Sequence, residues 1–207
     1  MITLSPASAL QDLGARREMT TDTPVWVQAA RGVLLQGLGL LFELSDGTYS
    51  RTMGAPLHAG IGSHYRGVLE RFQSLVRGLR AGEIDYGSIS EGSRLQDDVR
   101  YASVATCDVL RALKPYTEET LLRECKVTGS VGFDGTQTAA TLSNIEVELA
   151  YCIGQALHHY GIIRLICHEL GIAVPAEFGV APAMVEHKAM ASDQENAKGS
   201  FTSRPNC

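Results

Sequence analysis

Apolar residues recur at steps of three and four in four long segments of the chain, with polar residues between them. This spacing is typical of an amphipathic helix that buries one face. It predicts helices over residues 24–44, 61–80, 93–113 and 144–170. Four such helices, with one long connection between the third and the fourth, predict an all-α four-helix bundle.

Turn and cap residues fall at the ends of these segments. Pro24 suits the first turn of a helix, where its missing N–H costs nothing, and Gly82 suits the end of the second helix. Ser143, with Glu146 three residues later, has the spacing of a capping box, and Gly171 stands where the fourth helix should end. In the third helix the spacing predicts an inward face made of Leu95, Tyr101, Val104, Ala105, Val109 and Ala112.

The connection between the third and fourth helices has a different composition. Residues 126–133 are rich in β-branched side chains and are interrupted by glycine, and Asp134–Gly135 is a hairpin turn signal. The sequence therefore predicts a small β-hairpin or extended loop at this place in the bundle.

The two ends of the chain lack apolar periodicity. Residues 1–21 and 192–207 are polar and aperiodic, so we expect a flexible leader and a disordered tail. Residues 22–191 between them form the predicted bundle domain. With 44% apolar residues in a chain of 207, the composition suffices for one well-filled core.

Charge and hydropathy argue against two classes of partner. Lys and Arg number 18 against 23 Asp and Glu, a net charge of −5 without a basic run, which argues against a nucleic-acid surface. We find no apolar stretch of the roughly 18 residues that a membrane span needs, so we expect no membrane partner. The five cysteines form no C-x-x-C pair and are odd in number, which indicates reduced thiols in a cytoplasmic protein.

Candidate chemistry centres on the fourth predicted helix. His158 and His159 are adjacent and therefore point about 100° apart, and the periodicity places His159 on the inner face. Gln155 lies one turn before His159 on that face, and Glu148 and Cys152 lie further along it. Two interpretations stay open: a hydrogen-bonded histidine in the core, or a polar pocket between helices, where bundles build their ligand and metal sites.

His64 stands in the first turn of the second predicted helix, from which it could reach the same pocket. Nucleophilic catalysis by Cys152 with His159 is disfavoured, because seven residues place them about 10 Å apart along the helix. Cys152 is better interpreted as a small core residue.

Several short stretches share a pattern that is specific when they are taken together: Ile61–Arg66, Phe72–Leu79, Gly82–Tyr86, Val147–Leu149, Leu157–Tyr160, Gly171–Pro175 and Phe178–Pro182. With them the sequence resembles the DinB/YfiT-like helical-bundle superfamily from Val25 to Ala189. The resemblance implies a four-helix bundle with a divalent metal site at its centre, often in a homodimer. Members with known activity include thiol-dependent transferases and isomerases and metal-dependent hydrolases.

The resemblance also implies where metal ligands would stand. The superfamily's three histidines fall on Gly67, Gln155 and His159 of this sequence, so two of the three ligands are missing. Glutamine is a poor ligand for zinc or nickel, and glycine has no side chain. If zinc or nickel binds at all, we expect His159 to hold it with His64 or His158 as substitute ligands, and the loss at Gly67 leaves room beside His159.

Two classes of function follow from this reasoning. The favoured one is an enzyme that acts on a small molecule in the cavity between the helices, with His159, and also His64, as general acid or base. One variant of it is a metal-dependent transferase or hydrolase with a rebuilt histidine site. The other class is a non-catalytic binding or scaffold protein with a relic site. The enzyme is favoured because an inert bundle tends to fill such a cavity with leucine.

Overall fold

The structure is a computed structural model that describes residues 23–55, 57–87, 94–132 and 134–181. The predicted leader, residues 1–21, and the predicted tail, residues 192–207, lie outside these ranges, as does the end of the predicted bundle domain. Those predictions therefore stay untested.

Four long helices form the body of the molecule and confirm the predicted bundle. They are α1 (Val25–Phe42), α3 (Ile61–Ala81), α4 (Val99–Leu113) and α6 (Ile145–Glu169), and the single turns α2 (Asp46–Tyr49) and α5 (Glu118–Leu121) lie in the connections. Helix α6 packs against both α1 and α3, and α4 packs against the same two helices. The site described below lies where α3 faces α6.

The ends of α3 and α6 follow the chemistry of their terminal residues. Gly82 ends α3 with φ +76°, and Gly171 follows α6 with φ +70°, a backbone region that glycine adopts at no steric cost. The cap at the start of α6 is Asn144, whose side-chain oxygen accepts from the Val147 N–H at 2.9 Å. The predicted capping box is wrong, because the Ser143 hydroxyl bonds the Glu148 carboxylate instead, at 2.6 Å.

Helix α4 begins six residues later than predicted. Residues Arg94–Gln96 form a turn of 3₁₀ helix, and Asp98 then caps α4 by accepting from the Tyr101 N–H at 2.8 Å. The inward face also differs, because Tyr101 and Val104 are 42% and 55% exposed. The Arg94 guanidinium lies 4.8 Å from the centre of the Tyr101 ring and holds that ring on the outside.

A three-stranded sheet lies at the side of the bundle. Its strands are β1 (Glu83–Asp85), β2 (Glu124–Val131) and β3 (Gln137–Asn144), in that order. Strands β2 and β3 are antiparallel and confirm the predicted hairpin, whereas β1, which pairs with β2 in parallel, was not predicted. Strand β3 runs directly into α6, so the sheet and the first turns of α6 share one wall.

Aromatic rings fill the centre of the bundle. Tyr65 on α3 stacks on Tyr160 of α6 with ring centres 6.2 Å apart, and Phe178 covers Tyr160 from the other side at 4.9 Å. The Tyr65 and Thr106 hydroxyls bond each other at 3.0 Å. The segment after α6 thus contributes Phe178 to the core.

Helix α1 contradicts the expectation that the chain has no apolar stretch long enough to span a membrane. It has 18 residues and a mean hydropathy of 1.4, so by length and composition it could cross a bilayer, and the expected absence of such a stretch is wrong. This is weak evidence for a membrane span, because a core helix of a bundle passes the same test. Here α1 buries a full face in the core, including Ala30, Leu34 and Leu38.

Candidate functional site

Two histidines from different helices meet where α3 faces α6. His64, in the first turn of α3, and His159, in the middle of α6, place their Nδ1 atoms 3.2 Å apart. Their ring centres are 5.4 Å apart, and both side chains are half-buried. At this distance one Nδ1 carries a proton and donates it to the other, which accepts with its lone pair.

The other nitrogen of each imidazole is left without a partner. Nε2 of His64 and Nε2 of His159 are both buried and make no hydrogen bond within the described ranges. Buried polar atoms in proteins are nearly always paired, and an exception needs a cause. Two such atoms, on side chains that are hydrogen-bonded to each other, indicate a place where a ligand or solvent binds.

His159 lies against the backbone of α3 at Gly67. A Cβ atom added to Gly67 would lie 3.0 Å from His159 Nε2 and 3.4 Å from Arg71 Nη1. The Arg71 guanidinium also donates from Nη1 to the Gly67 carbonyl at 2.6 Å. The space that was expected beside His159 at Gly67 is therefore occupied by the imidazole itself and by a cation.

The electrostatics of the pair keep both imidazoles neutral. Burial, followed by the Arg71 guanidinium and then His64 and His158, lowers the pKa of His159 to about 4. Burial and then His158 also lower the pKa of His64. Near neutral pH the site thus holds two uncharged rings, each with one buried nitrogen free to accept or donate.

The lowered pKa of His159 predicts how stability depends on pH. The unfolded chain binds a proton at this residue below its ordinary pKa of 6.5, whereas the folded chain resists protonation down to about 4. We therefore expect the free energy of unfolding to decrease as pH falls through this window. Urea titrations at several pH values should show a smaller decrease for His159→Gln than for the natural chain.

The matched control for this measurement is His168→Gln, which removes an exposed histidine of the same helix. A smaller decrease that is seen in His159→Gln but not in this control assigns the effect to His159. Parallel curves for the natural chain and His159→Gln would show that His159 titrates normally in the folded state.

Two adjoining cavities lie near the pair, and His159 lines the smaller of them. The smaller has a volume of about 210 Å³, and His159 and Gly67 line it together with the polar side chains of Ser63, Arg66 and Glu70. The larger, about 620 Å³, lies between the sheet and the first turns of α6. Both cavities share two lining residues, Arg71 and Tyr86. The guanidinium and the phenol therefore stand between the histidine and the sheet.

The remaining predicted site residues take different places. Cys152 is buried, its Sγ lies 3.6 Å from the Tyr86 hydroxyl, and burial raises the pKa of its thiol to about 12, which suits the predicted core role. Glu148 is buried and lines the larger cavity. Gln155 is half-buried one turn before His159 and lines neither cavity. His158 is exposed, with its ring edge-on to His159 at 5.4 Å.

These residues do not fit the divalent metal that the resemblance implies. Of the three expected ligand positions only His159 carries an imidazole, and within the described ranges no group of three His, Cys, Asp or Glu side chains is placed to hold an ion. The Arg71 cation beside His159 also opposes a second positive charge there.

Sequence reasoning missed Arg71 and Tyr86. Arg71 stands one helical turn after Gly67 and two turns after His64, so helical spacing alone places it on the same face of α3. This spacing is enough to place Arg71 beside the predicted site from the sequence alone. Tyr86 follows the short strand β1, whose pairing with β2 fixes it beside the cavity, and nothing local in the sequence indicates this.

Comparison with solved structures supports the fold. A DinB-like protein from Bacillus cereus is 17% identical, with 73% of this chain and 94% of that chain covered and a TM-score of 0.53. The DinB-like protein YjoA from Bacillus subtilis is 16% identical, with 75% and 99% covered and a TM-score of 0.54. At this identity the likeness shows the fold alone, and this chain has the DinB-like fold. The homodimer and the cytoplasmic location stay predictions.

Comparison with sequences adds little. No family model matches the chain. FK506-binding protein 5 of Rhizopus delemar is 52% identical over 40 residues, which is 19% of this chain and 10% of that protein. The chain thus matches only about a tenth of that relative's length, and the match says nothing about activity.

Proposed function

We propose that this DinB-like bundle is an enzyme that moves a proton on a small molecule without a metal, with His159 as the general base. The observation that supports it is the contact between His64 and His159, which leaves a buried, unpaired Nε2 on an imidazole that borders a cavity. A base positioned in this way, at the edge of a cavity, is a common element of acid–base catalysis.

The cation beside His159 selects the tautomer. A guanidinium close to Nε2 favours an unprotonated Nε2 and disfavours an N–H there. The partial positive charge of that hydrogen would face the positive charge of Arg71. The His159 proton then lies on Nδ1 and is donated to Nδ1 of His64, whose own proton lies on Nε2.

This arrangement gives each histidine a separate role. His159 Nε2 takes the proton from the substrate, and the ring becomes an imidazolium that keeps its Nδ1–H bond to His64. His64 is a positioning residue, because it fixes the tautomer and orientation of His159 and stabilises the cation that forms, as the third member of a catalytic triad does. The proton leaves from Nε2 in the second half of the reaction.

A neutral probe tests for the base. When a base removes the ring C–H proton of 5-nitrobenzisoxazole, the N–O bond breaks and a coloured phenolate is released. We expect the chain to accelerate this reaction and His159→Gln to reduce the rate at least about a hundredfold, the lower end of the usual contribution of one catalytic base. The matched control is His158→Gln, which removes the adjacent exposed imidazole.

The pH profile identifies which histidine reacts. The rate should stay level from pH 8 to about pH 5 and fall only as pH approaches the lowered pKa of His159, about 4. His64→Leu should reduce the rate, and His64→Gln should restore part of it, because its amide oxygen can again accept from His159 Nδ1. A profile that falls near pH 6.5, or a rate unaffected by His159→Gln, would reject the catalytic role and leave a binding protein.

A further inference from the structure

The linings of the two adjoining cavities fit a ligand that has a charged end and an apolar body. The larger cavity has walls of Val127, Val131, Ala139, Ala140, Val147 and Tyr151. Its volume of about 620 Å³ lies in the usual range for small-molecule sites. The Tyr86 and Tyr151 rings stand 5.1 Å apart at one side and offer an aromatic surface.

One cation, Arg71, lines this cavity and also the smaller one. Arg71 is half-buried and donates to the Gly67 carbonyl, which occupies one of its five N–H groups. In the part of the chain that the structure describes, no carboxylate lies within ion-pair distance of it. A partly buried guanidinium is normally paired, and its planar fork matches a carboxylate with two parallel hydrogen bonds.

The other charges near the cavities are engaged elsewhere. Arg66 and Glu70 in the smaller cavity pair with each other at 3.8 Å. The Glu148 carboxylate, which lines the larger cavity, accepts from the Ser143 hydroxyl at 2.6 Å. Arg71 is therefore the group in these two cavities that is placed to receive a negative charge.

We propose that the site takes small carboxylic acids with an aromatic or branched apolar body, which lies between the tyrosines and the sheet while Arg71 holds the carboxylate. This inference rests on the proposed function, because Arg71 then presents the substrate to His159. It also couples binding to catalysis. Arg71 is one cause of the lowered pKa of His159, so a carboxylate that neutralises it makes His159 a stronger base.

Binding of three matched probes tests the ligand class without any turnover. The probes are 3-phenylpropionate, its neutral amide and the cationic 3-phenylpropylamine, titrated into the isotope-labelled full chain and followed by NMR. We expect the acid to bind at least about tenfold more tightly than the amide, and the amine to bind most weakly. Bound acid should also raise the pKa of His159 in the histidine spectra.

Two variants assign the preference to Arg71. Arg71→Gln should reduce acid binding to the level of the amide, whereas Arg71→Lys, which keeps the charge, should retain part of the preference. The control is Arg80→Gln, which removes an exposed charge from the same helix and should change nothing. Melting curves establish that each variant folds.

The possible failures are distinguishable. Equal binding of acid and amide, tighter binding of the amine, no binding of any probe, or an unchanged preference in Arg71→Gln would overturn the carboxylate assignment. Loss of base activity on 5-nitrobenzisoxazole with the acid preference intact would instead overturn the catalytic role alone, because the binding experiment requires no turnover.

Discussion

Histidines placed together at Gly67 and Gln155 are expected to give this chain a zinc site. Gln155 stands one helical turn before His159, and the Cβ position of Gly67 lies 3.0 Å from His159 Nε2. The two substitutions would therefore bring two further imidazoles to His159, whose ring has to shift slightly to admit a side chain at position 67. Three-nitrogen sites hold zinc tightly, and formation of a structural zinc site is worth on the order of 10 kcal/mol.

The measurement is zinc content after dialysis, with the affinity from calorimetry. We expect about one zinc ion per chain in Gly67→His/Gln155→His and far weaker binding in each single variant and in the natural chain. The long Arg71 side chain, now 3.4 Å from the added Cβ position, has to swing away, so Arg71→Ala should strengthen zinc binding further. A natural chain that carries a stoichiometric ion after purification without a tag would show that His64 or His158 completes a site.

The parts of the fold that the sequence predicts are those with a local signal. Apolar periodicity and the glycines that follow α3 and α6 predict the ends of both helices to within one residue. They do so because each signal lies within a few positions of the helix end that it determines. The Asp134–Gly135 turn likewise predicts the β2–β3 hairpin. In the site, the same periodicity selects His159 over His158.

The parts that the sequence does not predict depend on distant contacts. The start of α4 is set by the Asp98 cap and by Arg94, which covers Tyr101. Apolar spacing alone therefore places the buried face of this helix one residue away from its true position. Strand β1 has three residues and exists because Ile84 pairs with Val127, far along the chain. The place of Arg71 in the site depends on the missing side chain at Gly67. That dependence is seen only in the folded chain, where His159 packs against the same position.

Replacing Gly37 with alanine is expected to lower the free energy of unfolding by about 3 kcal/mol, the upper end for overpacking in a core. The new Cβ would overlap the Tyr160 hydroxyl oxygen and would lie 2.7 Å from Tyr65 Cε2. Neither ring can retreat cheaply, because Tyr160 is fully buried between Tyr65 and Phe178. Urea unfolding followed by circular dichroism measures the change.

The matched control is Gly39→Ala, two residues further along α1. Gly39 is exposed and a Cβ there meets no atom within 4 Å, so this change should raise stability by about 0.5–1 kcal/mol through the unfolded chain and helix propensity. The two substitutions are chemically identical, so their difference isolates the contact with the tyrosines. Because Tyr160 follows His159 in the chain, Gly37→Ala should also disturb the histidine pair, visible as changed imidazole resonances. Equal stabilisation by both changes would show that α1 does not approach Tyr160 this closely, and the central aromatic stack would then need another arrangement.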